Sequence, residues 1–289
     1  MLMRALTLLL PAALWLSLAA LSARADPPAP MGTTGAAASP VAASEPHAVF
    51  GQQVDIIALL PPPPRENSAA QRADLAAVLE AQRAAHADGS IAHAVADVQS
   101  SCGRFSDALG YDLTSAAVAK VLAFLDQTAR QGSLISVPAK RYWRRTRPYA
   151  YSAKVEPLGD MPARPRTNLG GGGGGGGGQM TAEQLRAADD LAHSSYPSGH
   201  STFGTLCSIL LAEMVPEKRA ALFARNVDYD HSRMVVGAHF PTDLEAGRLA
   251  GTIAGALMLE NPDVQRELAD ARASLRATLG LPPTYIESR

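Results

Sequence analysis

The chain of 289 residues has only two cysteines, Cys102 and Cys207, and two alone make no zinc site. No cysteine follows the apolar segment at the N-terminus, which speaks against lipoprotein processing. Beyond that segment no apolar run reaches the ~20 residues that a bilayer span needs. The best candidates, Phe203 to Val215 and Leu249 to Leu259, both fall short. Neither sign of charge dominates, with 26 Lys and Arg against 27 Asp and Glu. A weakly acidic chain is a poor polyanion binder, so nucleic acid is not an expected partner. Alternating strand patterns are missing as well, which leaves helices to build the core.

What is present begins with a signal peptide over residues 1–25. Arg4 supplies a positive start, Ala5 to Leu21 an apolar stretch, and Ala23-Arg24-Ala25 a small-x-small exit. Cleavage before Asp26 removes two arginines and no acid, so the net charge of −1 becomes −3. The expected product is periplasmic or secreted, with no stable membrane association. Residues 26–48, rich in Pro, Ala, Ser, Gly and Thr, have little to bury and read as a disordered lead-in. A single domain is expected over 49–280, entered through the stiff Pro61–Pro64 run and followed by a tail at 281–289.

Within that domain the periodicity is helical. Residues 67–86 open with Asn67 or Ser68 as a cap and put Ala70, Leu75, Val78 and Leu79 on one face. Thr114 is placed to cap a helix through residue 130, and Thr181 with Gln184 forms a capping box. Further helices are predicted near 199–214, 216–230, 241–259 and 263–277. Gly170 to Gly178 are nine consecutive glycines, read as a flexible loop. No strand precedes them and no G-K-[ST] follows, which excludes a phosphate-cradling loop.

Three stretches carry the chemistry. Residues 140–148 hold five basic residues, of which Lys140 and Arg147 lie two helical turns apart, with Pro148 next. Pro197-Ser198-Gly199-His200 is a turn feeding a helix, whose free backbone N–H groups suit an anion. His239 and Asp243 are four apart with Pro241 between them, a spacing that lets the carboxylate take a proton from one ring nitrogen and leaves the other free. Together Lys140, Arg147 and Arg233 give three cations, Ser198 and Gly199 neutral donors, and His200 and His239 two imidazoles. That set suits phosphoryl transfer, in which charge on the equatorial oxygens is what must be stabilised.

The order K-x6-RP, PSGH, SR-x5-H-x3-D resembles the three-part signature of the type 2 phosphatidic-acid-phosphatase superfamily, which also holds vanadium-dependent haloperoxidases. The entry "LLPPPPRENSAAQRADLA" looks like the secreted class A bacterial acid phosphatases. The resemblance implies an all-α helical bundle, a single domain with the site at one end. It also implies hydrolysis of small phosphate monoesters with no cofactor and no metal, and a homo-oligomer. His239 would be the nucleophile that becomes phosphohistidine, Asp243 its orienter and His200 the general acid. Lys140, Arg147, Ser198, Gly199 and Arg233 would hold the phosphate. Against the class A form, Ser194 and Asp230 stand where it has Gly, and Ser201 where it has Thr.

The rival readings are a vanadate-dependent haloperoxidase on the same fold, an integral lipid phosphatase and a non-catalytic phosphate binder. Cys102 and Cys207 either pair or remain buried thiols. Arg141, Arg144 and Arg145 are expected on the surface, where they would steer anions. Tyr142 and Trp143 are expected to bury one helix face. His47, His86, His93, His193 and His231 receive no role in the chemistry.

Overall fold

The computed structural model describes residues 54–159 and 189–285. The signal peptide, the lead-in, His47, the glycine run and the box at Thr181 fall outside them, as does the end of the tail. The described residues contain helices and no strand, so the all-α expectation holds. The helices used below are α1 (Ala69–Asp88), α2 (Ile91–Ala96), α3 (Ala119–Ser133), α4 (Val137–Trp143), α5 (Pro148–Tyr151), α6 (Gly199–Met214), α7 (Arg219–Val235), α8 (Pro241–Glu260) and α9 (Pro262–Thr278).

α6 is apolar almost all round, and such a helix must be surrounded. It packs against α3, α7, α8 and α9, and Leu206, Leu210 and Leu211 are buried in the main core. α8 approaches it through small residues. A Cβ on Gly247 would lie 2.5 Å from the carbonyl oxygen of Ser198, and one on Gly251 would lie 2.8 Å from that of Thr202. A side chain at either position would push the two helices apart. Cys102 and Cys207 form a disulfide across 105 residues, joining the chain after α2 to the middle of α6. No helix among the described residues is long and apolar enough to cross a membrane.

Several local expectations change. α1 is capped by Ser68, whose Oγ accepts from the amide of Gln71 at 3.1 Å. Leu75 and Leu79 pack half-buried beside the buried Val78 as expected, but the inward face is wider and more polar. Ala70 is exposed, while Gln71, Asp74, Val78 and Gln82 are inside. The polar members are there because each has a buried partner. Gln82 donates to the carbonyls of Glu156 and Val235 at 2.6 and 2.9 Å, and Gln71 and Asp74 meet Arg145. Thr114 caps nothing; its amide and hydroxyl both bond Asp112, and the helix starts at Ala119. α7 continues past residue 230 to Val235, carrying Ser232 and Arg233 on its last turn.

Lys140 and Arg147 do not share one helix. α4 ends at Arg144, which takes the left-handed conformation at φ 42°, and α5 restarts with Arg147 as its N-cap. Pro148 disfavours helical backbone at Arg147, whereas a non-glycine residue with positive φ is uncommon and Arg144 gave no local sign of ending α4.

Candidate active site

The N-terminal ends of α6 and α8 meet. The amide of Ser198 donates to the carbonyl of Asp243 at 2.9 Å, bringing two sets of unsatisfied N–H groups and two positive helix ends into one place. Ser198 is the N-cap of α6, its Oγ accepting from the amide of Ser201 at 3.2 Å. Gly199 and His200 follow in the first turn. The last turn of α7 delivers Arg233, and the link to α8 delivers His239. Lys140 arrives from α4 and Arg147 from the start of α5. The eight residues singled out for chemistry therefore come from five helices and the link before α8, and the fold gathers them at one end of α6.

The cations differ in how they are held. Arg147 is nearly buried and well occupied. Its Nε donates to Leu191 O at 2.8 Å, Nη1 to Ala238 O at 3.2 Å, and Nη2 to Ser194 Oγ at 3.1 Å. Lys140 Nζ donates to Ser194 O at 2.7 Å and also to Pro197 O. Arg233 is fully buried, and its Nε and Nη1 have no hydrogen-bond partner. Leaving such donors unmatched in the interior is costly, so a fully buried arginine of this kind points to an anionic ligand. Burial, reinforced by Arg147, pushes Lys140 down to about 7, and burial brings Arg233 down to about 10.

His239 is buried, and its Nε2 lies 3.2 Å from Arg147 Nη1. An arginine can only donate, so Nε2 is the bare nitrogen and the neutral ring carries its proton on Nδ1. Nδ1 lies 3.7 Å from Asp243 Oδ2, too long for a hydrogen bond, and has no other partner. The expected bond between His239 and Asp243 is thus not closed. The carboxylate is already engaged: Oδ2 accepts from Ser195 Oγ at 2.6 Å and from the Phe240 amide at 2.8 Å, and Oδ1 from Arg145 at 2.6 Å. His200 Nε2 donates to Val98 O at 3.1 Å and lies 3.2 Å from Ser100 Oγ, so its proton sits on Nε2 and Nδ1 is bare. Burial, then the surrounding cations, hold both imidazoles well below the ordinary histidine range. Neutral rings among several cations are what Coulomb repulsion dictates until an anion arrives.

Sequence reasoning misplaced Arg145. It is buried, not at the surface, and its guanidinium binds Asp243 Oδ1 at 2.6 Å, Asp74 Oδ2 at 2.7 Å, Gln71 Oε1 at 2.6 Å and Thr242 Oγ1 at 2.7 Å. It also stacks over Phe240 at 4.3 Å. The one available signal was polar residues at inward positions of α1, and it went unread. Arg141 and Arg144 are exposed as expected, the latter paired with Asp189 and Asp190. Tyr142 is 66% exposed and buries no face, whereas Trp143 packs edge-on against Tyr196 at 5.0 Å.

A second buried carboxylate went unnoticed. Asp97 accepts from Arg104 at 3.0 Å, Arg225 at 2.5 Å and Ser232 Oγ at 2.8 Å, anchoring the last turn of α7 beside Arg233. With His93 and Asp228 it makes a grouping of metal-ligand type, but two arginines already neutralise its acids. His86 pairs with Glu156 at 2.9 Å and His93 with Asp228 at 2.9 Å, both away from the chemistry.

Fold and site together give an all-α protein in which three largely buried cations and two imidazoles are gathered at one end of a central helix. The family model of the PAP2 superfamily matches residues 117–266, about half of the sequence and all three motifs, and the chain belongs to that superfamily. Among its relatives is a non-specific acid phosphatase of Providencia stuartii, 26% identical over 226 residues, which are 76% of this chain and 81% of that protein. A non-specific acid phosphatase of Salmonella typhimurium is 39% identical over 83 residues, 29% of this chain and 33% of that protein. An acid phosphatase of Zymomonas mobilis is 36% identical over 81 residues, 28% of this chain and 31% of that protein.

Proposed function

We infer that this protein is a secreted acid phosphatase that hydrolyses phosphate monoesters through a phosphohistidine, with the charge of the phosphoryl group carried by side chains. The phosphatase class rests on the superfamily and on the acid phosphatases among its relatives. The observation that carries the mechanism is Arg233, fully buried with two donors unmatched, in the same pocket as an imidazole whose Nε2 is bare.

In the first step His239 Nε2 attacks phosphorus. An N–P bond forms, the ester P–O bond breaks, and its electron pair leaves on the alcohol oxygen, which takes a proton from His200. In the second step water attacks phosphorus as His200 accepts its proton, and the N–P bond breaks to release phosphate and neutral His239. Arg147 must yield Nε2 in the first step. A bound phosphate offers its oxygens to the Arg147 guanidinium in exchange for the ring nitrogen. The proton on His239 Nδ1 then faces Asp243, whose charge stabilises the positive ring of the intermediate.

An acid preference has two supports. Lys140 sits near 7 and loses its charge, hence its grip on an anion, as pH rises through that value. His200 lies well below the ordinary range when the pocket holds no anion, and a phosphate dianion among the cations raises it toward the protonated form. Cleavage of the signal segment and the breadth of alcohols accepted belong to the same reading, since a pocket that grips only phosphate leaves the alcohol side free.

The decisive test is His239→Ala with p-nitrophenyl phosphate. Hydrolysis should vanish while the thermal melt stays near wild type, and acid quench of the wild-type enzyme with labelled substrate should trap an acid-labile phosphoprotein. Wild-type turnover in the variant would overturn the mechanism.

A further inference from the structure

Two positions at which the chain departs from the class A signature, Ser201 and Asp230, touch each other. The hydroxyl of Ser201 donates to Asp230 Oδ1, and Arg248 Nη1 donates to Oδ2 at 2.6 Å. Ser201 and Asp230 are both buried, while Arg248 is 38% exposed along its side chain. One carboxylate therefore ties α6, α7 and α8 together, one helical turn from Arg233.

Its neighbours make it part of the phosphate site's surroundings. Ser201 has both ends in use: its hydroxyl goes to Asp230 and its amide to Ser198 Oγ. It thus belongs to the turn of α6 that presents Ser198, Gly199 and His200. Asp230 also precedes Arg233 by three residues on α7, within one helical turn. The charged groups around it are Arg248 from α8 and Arg233 from α7; α6 offers it only the Ser201 hydroxyl.

We propose that Asp230 is an affinity-setting residue of the phosphate site, a buried carboxylate that holds the anion-binding turn of α6 and at the same time repels the anion bound there. The proposal rests on the reading of the pocket as a phosphate site. Three largely buried cations and two helix N-termini favour retention of product phosphate as well as binding of substrate. A fixed negative charge in the pocket wall weakens both, and through product release it limits how tightly the enzyme is inhibited by phosphate.

The sign with pH is definite. Burial, opposed by Ser201 and Arg248, raises Asp230 to about 6. Above that value the carboxylate is charged and opposes the anion. Below it the repulsion fades. Asp230→Asn keeps an acceptor for Ser201 and removes the charge, so its effect on phosphate binding should be present at neutral pH and disappear in acid.

The test is titration calorimetry of inorganic phosphate into the full chain at pH 5 to 8, for wild type, D230N and S201A. We expect D230N to bind phosphate several-fold more tightly at pH 7.5 and equally at pH 5, whereas S201A, which keeps the charge, follows the wild-type pH trend. Equal or weaker binding by D230N at pH 7.5, or a ratio to wild type that does not change with pH, overturns the proposal. Should D230N fail to fold, the double variant D230G,S201T, which restores the signature pair, must show the same convergence or the proposal fails. Phosphate binding to none of the proteins, wild type included, sinks the phosphate-site reading and this proposal with it. A flat ratio between proteins that do bind sinks only this one.

Discussion

Arg145 and Arg233 are both buried arginines, and they sit in regions built on opposite rules. Around both terminal nitrogens of Arg145 the chain supplies two carboxylates, an amide oxygen and a hydroxyl, all between 2.6 and 2.7 Å, and only its Nε is left without a partner. Arg276, at the far end of the bundle, is likewise satisfied by Glu217, Met214 O and Pro282 O. Around Arg233 two donors find nothing in the protein. Burial of a charge therefore says little about function. What separates the two is whether carboxylates within the protein already meet the guanidinium's charge, as Asp74 and Asp243 do for Arg145 and none among the described residues does for Arg233, because a paired buried charge is compensated and an unpaired one is costly.

That contrast can be broken by exchange of each arginine for alanine. Arg145→Ala leaves Asp74 and Asp243 buried without their common partner, and removing one member of such a pair costs about 3–5 kcal/mol. A urea melt should show the loss, and activity should fall with it because Asp243 loses its anchor. Arg233→Ala should behave in the opposite way. Loss of one donor to a transition-state anion lowers turnover by about 10²–10³, while the melt stays at or above the wild-type value. Equal destabilisation by both variants would erase the distinction. Arg144→Ala should sharpen it from the other side: its pairs with Asp189 and Asp190 are exposed, and the expected cost is under about 1 kcal/mol, with turnover unchanged.

The sequence named the residues that the fold brings together and concealed their supports for a physical reason. Lys140, Arg147, Ser198, His200, Arg233 and His239 follow a spaced pattern whose chemistry is local, and α6 and α8 follow from helical periodicity. Arg145 could not be read because its partners stand 71 and 98 residues away, on α1 and α8. Asp97 reaches Ser232 across 135 residues. The end of α4 was hidden because arginine is an unusual residue for the left-handed position that Arg144 occupies. The spacing of His239 and Asp243 gave the right neighbours and the wrong bond. Four residues bring the groups to 3.7 Å, but Ser195, Phe240 and Arg145 already hold the carboxylate.

The depth of Arg233 and His239 has a consequence for what can react. Both lie beneath the surface, at 0% and 1% exposure, so a phosphorus atom has to descend to them on the end of a stem. A phosphoryl group with one substituent presents three free oxygens to the pocket floor and trails its alcohol outward. A phosphodiester would have to bury a second chain beside these two residues. On the phosphate-site reading, the burial of Arg233 and His239 would sort phosphates by the number of arms they carry before any chemistry begins.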